Sequence, residues 1–167
     1  MKDHPNFLQA AAILAKKHDN VRFFCIGTYE GGEEYQHQMY RLSEELGLTD
    51  KVVWTGGRSD IPAVCNALDI VVSASAYGEG FGNVIGEAMA CNTPCVVTDV
   101  GDSAWIVGEL GKIVPARNSQ ALAKAIEELI IENNYKKPNI RQKIVESFSI
   151  DRLAANSKKA FLELFDK

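Results

Sequence analysis

The sequence predicts an α/β fold, a Rossmann-like open parallel sheet flanked by helices, and three observations carry that expectation. Short apolar runs rich in β-branched residues alternate with amphipathic segments along the whole chain. Several of these runs end in glycine or small polar residues, at Gly27, Gly56 and Ser75, as buried parallel strands do before a turn into a helix. Strand–helix alternation also demands right-handed crossovers, which place helices on both faces of a sheet. The result is an α/β/α sandwich, and ligands in such folds bind outside the carboxyl ends of the strands.

Composition narrows the function classes. With 167 residues, 46% hydrophobic and 24% charged, the chain is expected to form a single domain over residues 1–167 with a sizeable core. A net charge of −4 argues against a nucleic-acid surface. No apolar run approaches a membrane span and the N-terminus lacks a signal-peptide layout, so a cytoplasmic location is expected. Cys25, Cys65, Cys91 and Cys95 lie in or beside apolar runs without a C-x-x-C pair, which points to buried free thiols. Cys91 and Cys95 have no histidine or second pair nearby, and no metal site is expected from them.

In order along the chain, Leu8 to Lys17 repeats apolar residues at helical intervals, with Pro5 suited to the first turn. Val21 to Gly27 reads as a strand. A helix then runs to a closing Gly47, with Tyr35, Met39, Leu42 and Leu46 on its apolar face. Lys51 to Thr55 is the next strand, and Asp60 or Ser59 caps a short helix from Ile61 to Ala67. Asp69 to Ser75 and Pro94 to Asp99 are further strands, followed by a glycine-flanked one from Gly111 to Pro115. Asn118 or Ser119 caps an amphipathic helix to Ile130, and two helices follow, Lys136 to Ser147 and Ile150 to Phe165. Trp105 is expected in the core, while Phe161 and Phe165 suit either the core or a seam to another domain.

The central stretch is Gly78 to Ala90: a strand end, a glycine-rich turn and a helix start. Its glycines allow close approach to a ligand, and the free N–H groups of the first helical turn, with the positive end of the helix dipole, favour an anion. Glu79 and Glu87 do not suit a simple phosphate cradle. They suit a ligand that joins phosphates to sugar hydroxyls, because an ionised carboxylate only accepts hydrogen bonds. Spacing alone also permits a solvated Glu87 and a Glu79 that is simply a loop carboxylate near a helix N-terminus.

Glu79 and Glu87, with seven residues between them and Gly-Phe-Gly directly after the first, resemble the E-x7-E signature of the large retaining glycosyltransferase group, family 4, of GT-B fold. The run Glu87-Ala-Met-Ala-Cys-Asn-Thr-Pro-Cys-Val-Val-Thr-Asp99 is similar to the same family's continuation, and the resemblance covers the whole chain. It implies the C-terminal, donor-binding half of a GT-B enzyme, with the N-terminal acceptor domain and the first strand of this domain absent. By that resemblance Glu79 faces the donor sugar near the reacting centre and Glu87 holds the ribose hydroxyls. The N–H groups of Gly80, Phe81, Gly82 and Asn83 contact sugar hydroxyls, and those of Val84 and Ile85 meet a phosphate.

The resemblance also places Lys2 on the diphosphate, although a flexible terminal lysine is the plain alternative. Gly57, Arg58 and Ser59 fall on the nucleotide base, where a solvated Arg58 is equally in keeping with the residue types. The implied donor is a UDP- or GDP-sugar, with no cofactor and no metal. The implied partners are the missing domain and a glycan or lipid-linked acceptor of bacterial surface polysaccharide synthesis, with peripheral membrane association through the full-length enzyme. Gly101, Asp102 and Ser103 depart from the family pattern, which puts a substrate contact from their loop in doubt.

Three other readings are weighed against this one. A dinucleotide oxidoreductase would use Gly78-x-Gly80 and Asp99, but Asn83 replaces the third glycine and the motif sits late in the chain. A sugar-nucleotide epimerase half-domain would share the fold. A non-catalytic interaction module would keep the fold without the chemistry.

Overall fold

A computed structural model describes residues 2–28, 31–132 and 139–165. The elements follow the expected alternation: α1 (His4–Ala15), β1 (Phe23–Ile26), α2 (Gly32–Glu45), β2 (Val52–Gly56), α3 (Ile61–Ala67), β3 (Val71–Ser73) and α4 (Asn83–Ala90). Then come β4 (Cys95–Thr98), α5 (Ser103–Val107), a 3-10 turn at Gly108–Leu110, β5 (Lys112–Val114), α6 (Ser119–Glu132), α7 (Asn139–Phe148) and α8 (Ile150–Phe165). The expected start of the penultimate helix at Lys136 lies outside the described residues.

All strand pairing is parallel, but it forms two groups where one open sheet was expected: β1 with β2, and β3 with β4 and β5 in the order β3-β4-β5. Among the described residues no strand joins β1 to β3. Alternation along β4 divides the core between two layers. Val96 packs with α1, α2 and α6 residues such as Leu8, Leu14, Met39 and Leu122. Cys95 and Val97 face the opposite layer, with Ile85 and Met89 of α4, Ile106 of α5 and Ile140 of α7. Successive side chains of a strand point to opposite faces, so a central strand covered on both sides reads as a continuous apolar run.

Helix ends show local chemistry at work. Asp3, with φ 47, caps α1 by accepting from the Asn6 N–H at 3.3 Å, and Asn118 caps α6 through the Ala121 N–H at 2.9 Å. Asp60 does not cap α3, contrary to the sequence expectation, because its carboxylate takes a two-pronged pairing from Arg58 at 2.8 and 2.5 Å instead. Trp105 is a second correction: it is 66% exposed, with its ring edge-on to Phe148 at 4.8 Å. The helix α5 carrying it is one turn and a half long, and Ile106 and Val107 take its buried face. Phe161 and Phe165 are exposed on α8, which buries none of its residues.

The four thiols are unpaired, with Cys65 and Cys95 buried and Cys25 and Cys91 half-buried. Burial pushes Cys25 and Cys95 up to about 12, so neither is a nucleophile at neutral pH. No helix among the described residues is long and apolar enough to cross a membrane.

Leu122 is fully buried on α6, the helix that packs on α1 and on β4 and β5 together. Leu122→Ala is expected to cost about 2–5 kcal/mol through lost burial and the cavity left behind, read as a fall in the midpoint of urea unfolding at unchanged slope.

Candidate functional site

The site is built where the strand-following loops meet. Lys2, just ahead of α1, donates to Glu79 in the loop after β3 at 2.5 Å. Gly101, in the loop after β4, presses on the same residue: a Cβ there would fall onto the Glu79 carbonyl. Gly57, in the loop after β2, lies beside the Thr28 side chain after β1. Thr28, Gly27, Lys2, Tyr77, Val84 and Glu87 all line one large cleft. The loops after four strands and the start of α1 therefore converge, as the parallel topology requires.

Glu79 is the most constrained group in this arrangement. Its side chain is only 9% exposed, and one carboxylate oxygen accepts from both Lys2 at 2.5 Å and the Ser75 hydroxyl at 2.6 Å. Ser75 is in turn anchored, since the Thr98 hydroxyl at the end of β4 donates to the Ser75 carbonyl at 2.6 Å. Burial would raise the Glu79 carboxyl, but the hydrogen bonds from Lys2 and Ser75 outweigh it, and the net direction is below the ordinary carboxylate value. Glu79 is thus held as an anion that offers only acceptors.

The turn that follows opens the start of α4. Gly82 precedes the helix, and its carbonyl already accepts the Ile85 N–H at 2.8 Å. The amides left ahead of the first intrahelical acceptor are those of Asn83 and Val84, so Ile85 contributes its fully buried side chain to the core and not a free N–H. Gly80 is exposed with open space where a Cβ would sit. Phe81 leans away from the turn onto Phe148, with ring centroids 5.3 Å apart, and a Cβ at Gly86 would press on its ring. Val84 and Glu87, three residues apart, share the α4 face that lines the cleft, and Glu87 is exposed there.

Lys2, Val84 and Glu87 line the cleft, and Glu79 joins them through its pairing with Lys2; Asn83 adjoins Val84 at the start of α4, but Glu79, Gly80, Gly82 and Asn83 are not themselves among the cleft-lining residues. Arg58 stands apart. Its guanidinium is paired with Asp60, which raises the Arg58 value through the side-chain hydrogen bond and lowers that of Asp60, and both are exposed. Gly57, Arg58 and Ser59 are not among the residues lining the cleft, although Gly57 touches Thr28, which is. Two participants escaped the sequence reading. Ser75 looked like one more small residue at a strand end, and only its hydrogen bond gives it a role. Gly101 had a signal, a glycine in a loop between strand and helix, but its positive φ of 57 and its seat under Glu79 emerge only in three dimensions. Among the described residues no group of three or more His, Cys, Asp or Glu side chains converges to hold a metal ion.

Comparison with known proteins gives a consistent result. The sequence model of the family "Glycosyl transferases group 1" matches residues 1–147. The chain is 33% identical over 145 residues to the putative glycosyltransferase EpsD of Bacillus subtilis, covering 86% of this chain and 35% of that protein. Among solved structures, Anabaena HepE in complex with UDP superposes with a TM-score of 0.81 at 28% identity, over 96% of this chain and 44% of that one. The C-terminal domain of a group 1 glycosyl transferase, LpcC of Francisella tularensis, superposes with a TM-score of 0.75 at 27% identity, over 88% of this chain and 79% of that one. The chain therefore spans about a third of EpsD and a little under half of HepE, but most of the isolated LpcC domain.

Two outcomes are expected from the geometry. Gly101→Ala should destabilise the fold by about 1–3 kcal/mol, because an alanine must adopt a left-handed backbone and its Cβ meets the Glu79 carbonyl; thermal unfolding checks it. Lys2→Ala should raise the Glu79 titration midpoint, followed by carboxyl carbon NMR. Since the folded value lies below the unfolded one, the carboxylate's stabilising contribution is present above the ordinary carboxylate range and lost as pH falls through the depressed value. In the variant that loss should be smaller and complete at higher pH, because it starts at the unfolded carboxyl's value in both proteins.

Proposed function

Because the chain belongs to the group 1 glycosyl transferases and corresponds to the C-terminal-like half of a GT-B fold, we propose that it binds the nucleotide diphosphate-sugar donor of a retaining glycosyltransferase. The observation that carries this reading is that Lys2 and Glu87 line one cleft with Val84 at the start of α4, while Lys2 is paired with Glu79 in the preceding turn. A phosphate needs the cation and the helix start, and sugar hydroxyls need the carboxylates. The capture of HepE with UDP and with UDP-glucose supports a donor of that class.

In this reading Glu87 accepts from the ribose hydroxyls, while the diphosphate lies against the start of α4 with Lys2 beside it. Glu79, held ionised by Ser75 and Lys2, faces the donor sugar together with the Gly80–Asn83 backbone. As the sugar–phosphate bond breaks, its electron pair leaves on the diphosphate. Preorganised amides and the Lys2 ammonium stabilise that developing charge without reorganising, so these residues supply the positive charge themselves. An acceptor hydroxyl, glycan or lipid-linked, attacks the face the diphosphate leaves and gives its proton to the departing diphosphate oxygen, so Glu79 is not half of a glycosidase carboxylate pair. Acceptor binding belongs to the remainder of a two-domain enzyme. The domain alone is expected to bind donor weakly and to transfer no sugar.

Calorimetric titration with UDP and with GDP tests the reading. Glu87→Ala, folded by circular dichroism, should bind the preferred nucleotide about 10–100-fold more weakly, the worth of a hydrogen bond to a charged group. Equal binding by both proteins would remove Glu87 from the ribose site, and no binding of either nucleotide by the folded chain would overturn the donor-domain reading.

A further inference from the structure

We propose that Cys91 is a site of reversible oxidation by hydroperoxides, and that Cys65 is the thiol that closes the product into a disulfide between α3 and α4. Two contacts between the ends of these helices carry the inference. The Cys91 thiol, at the C-terminal end of α4, donates to the Pro62 carbonyl of α3 at 3.7 Å. Cys65 follows Pro62 by three residues and shares its side of that helix. Two residues past Cys91, the Thr93 hydroxyl donates to the Cys65 carbonyl at 2.7 Å. Both sulfurs belong to one apolar cluster, in which Cys91 packs against the buried residues around Cys65.

Exposure divides the roles between them. Cys65 is only 2% exposed, whereas Cys91 is half-buried, so a small peroxide meets Cys91 first. Burial, then the nearby charges of Cys91 and Glu87 and a hydrogen bond with Cys91, push the Cys65 thiol up. Little Cys65 thiolate is present to begin a reaction, but the thiolate that forms is the more nucleophilic for its raised value. Holding it against its target offsets its scarcity. The other two thiols suit neither role. Cys25 is pushed up to about 12 by burial and no other thiol acts on it, while Cys95 is 1% exposed and is turned toward the Ile85 and Thr93 carbonyls.

The steps balance with the peroxide as the oxidant. The Cys91 thiolate attacks the O–O bond, keeps one oxygen as a sulfenic acid, and the other oxygen leaves with the thiol's proton as water or an alcohol. The Cys65 thiolate then attacks the Cys91 sulfur, the S–O bond breaks, and the hydroxide takes the Cys65 proton to leave as water. Two thiols lose two electrons and two protons, and the peroxide gains them. A thiol reductant reverses the bond by exchange.

The bond reaches the rim through Glu87, which lies one helical turn ahead of Cys91 on α4 and is among the charges acting on Cys65. A disulfide is far shorter than a contact between two thiols, so closing it draws the ends of α3 and α4 together beside this carboxylate. Unlike the thiol chemistry, this consequence rests on the donor-binding reading: UDP affinity should fall by about three- to tenfold, less than the removal of Glu87 costs.

The test treats the reduced chain with a stoichiometric amount of hydrogen peroxide, counts free thiols after denaturation and maps its peptides without reductant. Free thiols should fall from four to two, with the Cys65 and Cys91 peptides joined and the protein monomeric, and dithiothreitol should restore all four. In Cys65→Ala, checked for folding by circular dichroism, Cys91 should stay a sulfenic acid that dimedone traps. Cys91 left unmodified in either protein would overturn the oxidation site. Cys91 oxidised in the unsubstituted chain without a bond to Cys65, or bonded to Cys25, Cys95 or a second chain, would overturn Cys65 as its partner. None of these readouts needs a nucleotide. Calorimetry with UDP on the reduced and cross-linked forms then checks the consequence, which equal affinity would overturn. No binding by the reduced form would overturn that consequence together with the donor-binding reading, while the peptide map still decides the thiol pair.

Discussion

The hydroxyl of Ser75 is the hinge on which the site's order turns. It donates to the Glu79 carboxylate while its own carbonyl accepts from Thr98, so the loop that carries the site is fastened to the end of β4 by side chains where the strand ladder has run out. Neither hydroxyl is exposed, and buried hydroxyls are tolerated only when bonded. Lys2 then closes the chain of bonds from the far end of the sequence. A carboxylate so surrounded is ionised and fixed in direction, which is what recognition of hydroxyl donors demands.

Glycine at position 101 makes that fastening sterically possible. The loop after β4 packs directly on the Glu79 backbone, leaving no room for a side chain, and its left-handed conformation would strain any other residue. The departure from the family pattern at Gly101–Ser103 accordingly does not empty this loop of purpose. It supports the site from beneath, through backbone contact.

The two-layer core explains why the rim is well formed although the strands fall into two groups. Helices α1 and α6 pack together on one layer that contains residues of every strand. Lys17 and His18 at the end of α1 reinforce the contact by sharing Glu127 of α6 at 2.8 and 3.3 Å. Helices thus bridge what backbone ladders do not. The aromatic group of Phe81, Phe148 and Trp105 ties the site loop to α7 on the other layer.

Much of the fold was legible because it rests on local signals. Apolar runs with terminal glycines gave the strands away, and the cap of α6 at Asn118 and the bounds of α8 follow from residue types in sequence. Glu87 does line the cleft and Glu79 is bonded to Lys2, which lines it too, but the spacing between the two carboxylates does not of itself assign either a role. Where groups compete for a partner, sequence was silent. Asp60 reads as a cap until Arg58 claims its carboxylate, and Trp105 reads as core until α5 proves to have its buried face occupied by Ile106 and Val107.

The sequence by itself determined the class of fold and the order of its elements, because these depend on periodicity and spacing along the chain. Only the tertiary structure decided that Lys2 pairs with Glu79, that Ser75 and Gly101 support it, that the Ile85 amide is already bonded, and that β1 and β3 face each other across a gap. Each of these is a contact between segments distant in sequence or a competition for one hydrogen-bonding group, and neither leaves a trace in local residue pattern.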